Sequence, residues 1–187
     1  KHSDAPLSPV YFDLRVLRGF LDAKGAAVRV YAELVKPLKF DLLADIPTAT
    51  TSIVSSLSDL LGIGMITPRI DSKTHGRDSS VDGLQDEDRG RVAVLIDDVV
   101  TRADSKVEAA EILRDRGVLV NDVVVLIDRE QGGAEQLKKH GLRLHSALTM
   151  PQMLEFYRRM GSISDEEFKR IQEGLSAMAS YNPPQTQ

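Results

Sequence analysis

The chain has 187 residues, a formal net charge of −4 and no cysteine. The lack of cysteine excludes a disulfide scaffold, a cysteine-ligated zinc site and a thiol nucleophile, and the acidic balance argues against nucleic acid as a partner. No run approaches the ~18 apolar residues that span a membrane, and the polar start Lys1–Asp4 lacks the apolar segment of a signal peptide. We therefore expect a cytoplasmic protein with a single domain over residues 1–187.

Short apolar segments alternate with helix-length segments in the first half of the chain. Phe40–Ile46 is a strand candidate and Thr48–Leu61 a helix candidate, which Gly62 closes as a C-cap glycine. Gly64–Thr67 is a further short strand. Arg91–Asp97 is the clearest strand, because its nearly continuous apolar run is typical of a strand buried on both faces of a parallel sheet.

The same alternation continues in the second half. Ser105 and Glu108 have the spacing of a capping box, which predicts a helix that ends near Arg116. The remaining predicted elements are the strands Asp122–Asp128 and Leu142–Leu148, the helices Ala134–His140, Met150–Met160 and Ser164–Met178, and a frayed tail, Tyr181–Gln187. Regular alternation of strands and helices predicts an α/β fold with a mostly parallel central sheet flanked by helices.

The segment Arg69–Gly90 interrupts this alternation. It contains three glycines and many charged side chains but few residues to bury. Loops of this length without regular structure are uncommon inside a compact domain and are usually functional or disordered. Two interpretations stay open, a solvated excursion and a mobile lid over a binding site.

The clearest strand ends in two adjacent carboxylates, Asp97 and Asp98, which precede the helix that Ser105 opens. Ligands of open α/β sheets lie beyond the carboxyl ends of the strands, and a helix N-terminus at that edge favours a phosphate. Adjacent carboxylates can accept hydrogen bonds from the vicinal hydroxyls of a ribose or orient hydrated Mg²⁺. The pattern favours a ribose-phosphate site; the alternative is that the carboxylates only end the strand and Ser105 only caps the helix.

Several segments share their residues and their order with one enzyme family. They are SPVYFDLR at 8–15, Arg69 with KTHG at 73–76, VLIDDVVT at 94–101, DREQGG at 128–133 and LHSALT at 144–149. Together they resemble orotate phosphoribosyltransferase, including the version fused into eukaryotic UMP synthase. The resemblance implies the type I phosphoribosyltransferase fold, with residues 69–90 as a flexible lid. It also implies transfer of the phosphoribosyl group of phosphoribosyl pyrophosphate (PRPP) to orotate.

The resemblance further implies roles for individual residues. The implied PRPP-binding set is Arg69, Lys73, His75, Asp97, Asp98, Val99, Val100, Thr101, Arg102, Ala103, Asp104 and Ser105. Lys73 and His75 are the implied catalytic residues, and Thr101 and Arg129 the implied orotate-binding residues. No metal ligand is assigned to the protein, since Mg²⁺ is implied to bind mainly through PRPP. The implied partners are a second copy of the chain and an orotidine monophosphate decarboxylase.

Three positions depart from the usual residues of that family. Asp104 places a carboxylate in the loop that cradles the phosphate, Ile70 stands where a lysine is common, and Ser3 lies where a lysine usually precedes the SPVY segment. All three changes reduce the positive charge around a polyanionic substrate. They favour an alternative function, in which the chain is a catalytically impaired relative that acts as a regulatory or partner-binding module.

Overall fold

The structure is a computed structural model that describes residues 8–70 and 81–180. The chain divides into two compact units, Leu14–Thr149 and a smaller unit made of Lys1–Asp13 with Met150–Gln187. The expectation of a single domain over residues 1–187 stays a prediction.

The larger unit is built on a six-stranded sheet. Its strands are β1 (Leu42–Asp45), β2 (Met65–Pro68), β3 (Val81–Asp82), β4 (Val92–Val100), β5 (Leu119–Asp128) and β6 (Arg143–Thr149). Their order across the sheet is β3-β2-β1-β4-β5-β6. All neighbouring strands are parallel except β2 and β3, which are antiparallel. The predicted α/β fold with a mostly parallel sheet is confirmed.

Alternate residues of a strand point to opposite faces of the sheet. Both faces of this sheet carry apolar residues, and helices cover both. In β1, Leu42 and Ala44 belong to the core cluster that contains residues of α3 (Asp104–Asp115) and α4 (Gly133–Lys139). Leu43, between them, belongs to the opposite cluster, with residues of α1 (Leu21–Val35) and α2 (Thr51–Leu61). The sequence analysis assigns no element to α1, although its Tyr31 is completely buried.

Most predicted elements are present with bounds that differ by a few residues. Helix α2 ends at Gly62, which has the positive φ of 66° expected of a C-cap glycine. Within residues 69–90 the prediction of a loop without regular structure is wrong for the described part, since it carries β3 and a short 3-10 helix, Asp86–Asp88. Val81 anchors this part by its burial in the core.

Residues 71–80 lie outside the described residues, so the positions of Lys73 and His75 are not described and the lid stays a prediction. Ser3 and the tail Tyr181–Gln187 also lie outside the described residues.

A buried carboxylate ties β5 to β6. Asp122 accepts hydrogen bonds from Arg143 Nε at 2.9 Å and Arg143 Nη2 at 2.8 Å, and its Oδ1 lies 2.7 Å from His145 Nε2. Burial alone would raise the pKa of the Asp122 carboxyl, but these hydrogen bonds outweigh burial and hold the pKa below its usual value. Asp122 therefore stabilises the edge of the sheet as a carboxylate.

The smaller unit contains α5 (Met150–Arg159) and α6 (Asp165–Ser180). The predicted capping box at the start of α6 is confirmed: the Glu167 N–H donates to Ser164 Oγ at 3.2 Å, and the Ser164 N–H donates to Glu167 Oε2 at 2.8 Å. None of the helices in the described part of the chain is both long and apolar enough to cross a bilayer.

Candidate functional site

The carboxyl ends of the parallel strands bring the predicted site residues to one edge of the sheet. The register aligns Val100 of β4 with Asp128 of β5, and Asp128 with Thr149 of β6. Between β1 and β4 the chain changes direction across the sheet, because β1 continues to β2 on one side and β4 continues to β5 on the other. Such a switch point is where open α/β sheets bind ligands.

Hydroxyl groups fasten the end of β1 at this edge. Asp45 is completely buried and accepts hydrogen bonds from the Thr51 hydroxyl, at 2.5 Å, and from the Thr67 hydroxyl. Thr50 Oγ1 donates to the carbonyl of Ile46 at 3.2 Å. Asp45 thus joins β1, the first turn of α2 and β2, and Arg69 follows directly after β2 at the same edge.

Arg69 is paired within the chain. Its Nε donates to Asp82 Oδ2 at 2.9 Å, and Nη2 contacts Asp82 Oδ1. This bond raises the pKa of Arg69 and lowers the pKa of Asp82. The neighbouring Ile70 is partly buried and packs against the hydrophobic core, which suits an apolar residue at that position.

The two adjacent carboxylates lie inside β4 and not after its end, because the strand continues to Val100. The expectation that Asp97 and Asp98 end the strand is therefore wrong by two residues. Asp97 is buried, with its Oδ1 accepting the Asp98 N–H at 2.9 Å, whereas Asp98 is only partly buried and accepts the Val99 N–H at 2.7 Å. Adjacent residues of a strand face opposite ways, so the pair has two different environments.

A buried lysine contacts the first carboxylate. Lys106 Nζ forms an ion pair with Asp97 Oδ2, and both side chains are 7% exposed. Burial raises the pKa of Asp97 to about 6, with Lys106 opposing the rise and Asp98 adding to it. The sequence analysis missed Lys106, although it lies on the apolar stripe of α3 that Ala109, Ala110 and Leu113 continue.

The segment Thr101–Ser105 forms the loop between β4 and α3. Helix α3 begins at Asp104 after an N-cap Ala103 with φ −99°, and no side chain caps it, so the predicted capping box of Ser105 and Glu108 is wrong. Gln136 of α4 holds this loop from outside: its Oε1 accepts the Ala103 N–H at 3.0 Å, and its Nε2 donates to Asp104 Oδ1 at 2.6 Å. Nothing in the sequence pattern singles out Gln136.

The segment 128–133 supports the same loop. The Arg129 N–H donates to the carbonyl of Val100 at 3.0 Å, and the Glu130 N–H donates to Asp128 Oδ1 at 2.8 Å. Burial lowers the pKa of the Arg129 guanidinium. Gly133 approaches β4 so closely that a Cβ there would lie 2.5 Å from Val100 Cγ2.

The structure thus brings most of the predicted site residues to one sheet edge, namely Arg69, Asp97, Asp98, Val99, Val100, Thr101, Arg102, Ala103, Asp104, Ser105 and Arg129. Within residues 8–70 and 81–180, no group of three or more Asp, Glu or His side chains is placed to hold a metal ion. At this edge Asp98 is the partly buried carboxylate of the acidic pair, and carboxylate oxygens are donors that Mg²⁺ accepts.

No protein-family model matches the chain. An orotate phosphoribosyltransferase of Caenorhabditis elegans is 30% identical over 167 residues, which cover 88% of this chain and 73% of that protein. A bifunctional enzyme PyrF/PyrE of Nostoc is 34% identical over 160 residues, which cover 86% of this chain. The solved structure of Leishmania donovani UMP synthase superposes with a TM-score of 0.83 at 30% identity and covers 94% of this chain.

Two carboxylates near the end of β4, the loop after it and a helix N-terminus at the switch point of a parallel sheet, together with the superposition on UMP synthase, define the type I phosphoribosyltransferase fold. More closely, the chain belongs to the orotate phosphoribosyltransferase family. It spans 33% of the Nostoc enzyme and 38% of the Leishmania chain.

Proposed function

We propose that this chain transfers the phosphoribosyl group of PRPP to orotate, giving orotidine 5′-monophosphate and pyrophosphate. The observation that carries the proposal is the sheet edge itself, where the acidic pair, the loop Thr101–Ser105 and Arg129 come together at the switch point between β1 and β4. Membership of the orotate phosphoribosyltransferase family supports the same substrates.

The chemistry of each group fits one part of the substrates. Of the acidic pair, Asp98 is the less buried carboxylate and accepts hydrogen bonds from the ribose hydroxyls, and the loop Thr101–Ser105 with the positive end of α3 receives the 5′-phosphate. Arg129 suits the planar carboxylate of orotate because a guanidinium fork can donate two parallel hydrogen bonds, with Thr101 nearby. We assign Arg69, Lys73 and His75 to the PRPP-binding set, with Lys73 neutralising charge on the departing pyrophosphate or on orotate.

In the reaction, the bond between C1′ of the ribose and the pyrophosphate oxygen breaks, N1 of orotate bonds to C1′, and the N1 proton passes to the departing pyrophosphate. Pyrophosphate leaves with the electron pair. Mg²⁺ bound to PRPP supplies charge neutralisation for that leaving group. The residues of the sheet edge position the two substrates and stabilise the developing charge, which is the main protein contribution in such transfers.

We also propose two partners. A homodimer follows from the family, in which the lid reaches the site of the second subunit. A link with an orotidine monophosphate decarboxylase is supported by the Nostoc relative, which is a bifunctional enzyme.

Three contacts favour a second function, a binding module without turnover. The Ala103 N–H and the Asp104 carboxylate are both bonded to Gln136, and Asp97 is paired with Lys106. These contacts occupy the loop N–H and the first carboxylate, which a transferase would offer to its substrate, and hold the Asp104 carboxylate in the loop. The second function is that of a catalytically impaired relative that acts as a regulatory or partner-binding module.

Calorimetric titration with Mg-PRPP tests both functions, followed by the loss of orotate absorbance in the presence of both substrates. Micromolar binding with turnover supports the transferase, and binding without turnover supports the module. Asp98→Asn removes one charge from the ligand edge while keeping the shape of the side chain, and it should weaken the binding. No heat with millimolar Mg-PRPP would rule out the transferase and favour a module that binds another partner.

A further inference from the structure

The two carboxylates of the acidic pair differ in what they contact. Both oxygens of Asp97 are engaged within the chain: Oδ1 accepts the Asp98 N–H and Oδ2 contacts Lys106 Nζ. Its backbone carbonyl accepts the Tyr31 hydroxyl at 2.7 Å from the opposite face of the sheet. Asp97 is therefore held at its side chain and at its backbone, whereas Asp98 is partly exposed at the ligand edge.

Lys106 is placed for this contact by the helix that follows the loop. Its stem lies among the buried residues of α3, and its ammonium turns back toward β4, 3.5 Å from Ser105 Oγ. Burying a lysine on an apolar helical stripe lowers the stability of the fold unless an opposite charge compensates the ammonium. Asp97 is the carboxylate that compensates it.

We propose that Lys106 is a positioning residue of the ribose-phosphate site: it holds Asp97 as an internal counter-ion, so that Asp98 is the carboxylate of the pair that meets the ribose. The inference rests on the proposed function for the identity of the ligand, but the ion pair itself does not depend on it.

The energetics favour this division of roles. Turning Asp97 toward a ribose hydroxyl would replace a charged donor by a neutral one and leave the Lys106 ammonium buried without its partner. Lys106 also cancels the charge of Asp97. The two carboxylates with Lys106 therefore present one net negative charge to a phosphate-bearing ligand and repel it less than two uncompensated carboxylates would. An apolar residue at position 106 would leave both negative charges beside that ligand.

A double-mutant cycle on the full chain tests the ion pair. Asp97→Asn and Lys106→Met should each lower the folding equilibrium constant by roughly 100-fold or more, because each leaves a buried charge alone, and the double variant should recover most of that loss. Lys36→Met, which breaks an ion pair with Glu33 whose side chains are 73% and 75% exposed, is the control and should change the constant by less than about 5-fold. Single variants no less stable than the control would overturn the pairing.

Calorimetry with Mg-PRPP tests the consequence for the ligand. Asp98→Asn should weaken binding at least about ten-fold more than the double variant Asp97→Asn/Lys106→Met does. Equal losses in the two proteins would show that Asp97 binds the ligand directly and would overturn the inference. If wild type binds no Mg-PRPP, the proposed function fails together with the ligand part of the inference, while the unfolding cycle still decides the ion pair.

Discussion

Replacing Gly133 by alanine tests how closely α4 supports the phosphate loop. A Cβ at this position would lie 2.5 Å from Val100 Cγ2 and 3.0 Å from the Thr101 carbonyl oxygen. Carbon atoms in contact are normally about 3.5–4 Å apart, so α4 and the end of β4 must separate by about 1 Å. Val100 is completely buried and cannot turn away without disturbing the core.

The size of the effect follows from two opposing terms. Overpacking of this kind costs about 1–3 kcal/mol, and the better helix propensity of alanine returns at most about 1 kcal/mol. We expect Gly133→Ala to lower the free energy of unfolding by about 1–2 kcal/mol. Because Thr101 begins the loop Thr101–Ser105, the affinity for Mg-PRPP should fall as well.

Urea unfolding of Gly133→Ala and Gly25→Ala measures the stability effect. Gly25 is the control because it lies inside α1, where an added Cβ meets only the flexible end of Arg29 at 3.6 Å. Gly25→Ala should therefore raise stability by about 0.5–1 kcal/mol. If Gly133→Ala is as stable as wild type, the close approach of α4 to β4 is refuted.

Three further substitutions give independent tests. Asp104→Asn keeps a hydrogen-bonding side chain for Gln136 but removes a negative charge. At ~5 Å and an effective dielectric of ~20, that charge repels a phosphate by up to about 3 kcal/mol. Calorimetry should therefore show tighter Mg-PRPP binding, and an unchanged affinity would mean that the carboxylate lies away from the ligand. Asp122→Asn should lower the free energy of unfolding by about 1.5–3 kcal/mol near neutral pH. Because the pKa of Asp122 is lowered in the folded state, the stability that its carboxylate contributes is lost as pH falls below about 4. The urea midpoints of the variant and wild type should therefore converge in acid but stay apart at pH 7. Ser164→Ala should cost about 1 kcal/mol through loss of the cap on α6, and an unchanged thermal midpoint would argue against the capping box.

Local sequence signals were sufficient for five of the six described strands and for most helices. Continuous apolar runs mark β4 and β5 because these strands are buried on both faces, and Gly62 marks the end of α2 through its positive φ. Helix α1 was missed although its buried residues Ala27, Val28, Tyr31 and Val35 recur at helical spacing, a signal that the sequence does carry. The segment 81–90 reads as a loop because its short strand exists only by pairing with β2.

The candidate site was predictable in its residues but not in its contacts. The acidic pair and Arg129 were found because motifs keep them adjacent to strand ends. Lys106 and Gln136 were not, since each acts through a side chain that reaches a different element. A lysine on an apolar helical stripe is, in retrospect, a usable signal of a buried ion pair.

The turn that starts at Arg129 and the helix that carries Gln136 are one continuous piece of chain. Arg129, proposed to bind orotate, is therefore linked directly to the helix that holds the phosphate loop Thr101–Ser105 through Gln136. A loop without a carboxylate at position 104 would keep the backbone contact of position 103 with Gln136 Oε1 but leave Gln136 Nε2 without its acceptor. In this chain the smallest exchangeable unit is the loop together with α4, and loop grafts are best made in pairs with changes at position 136.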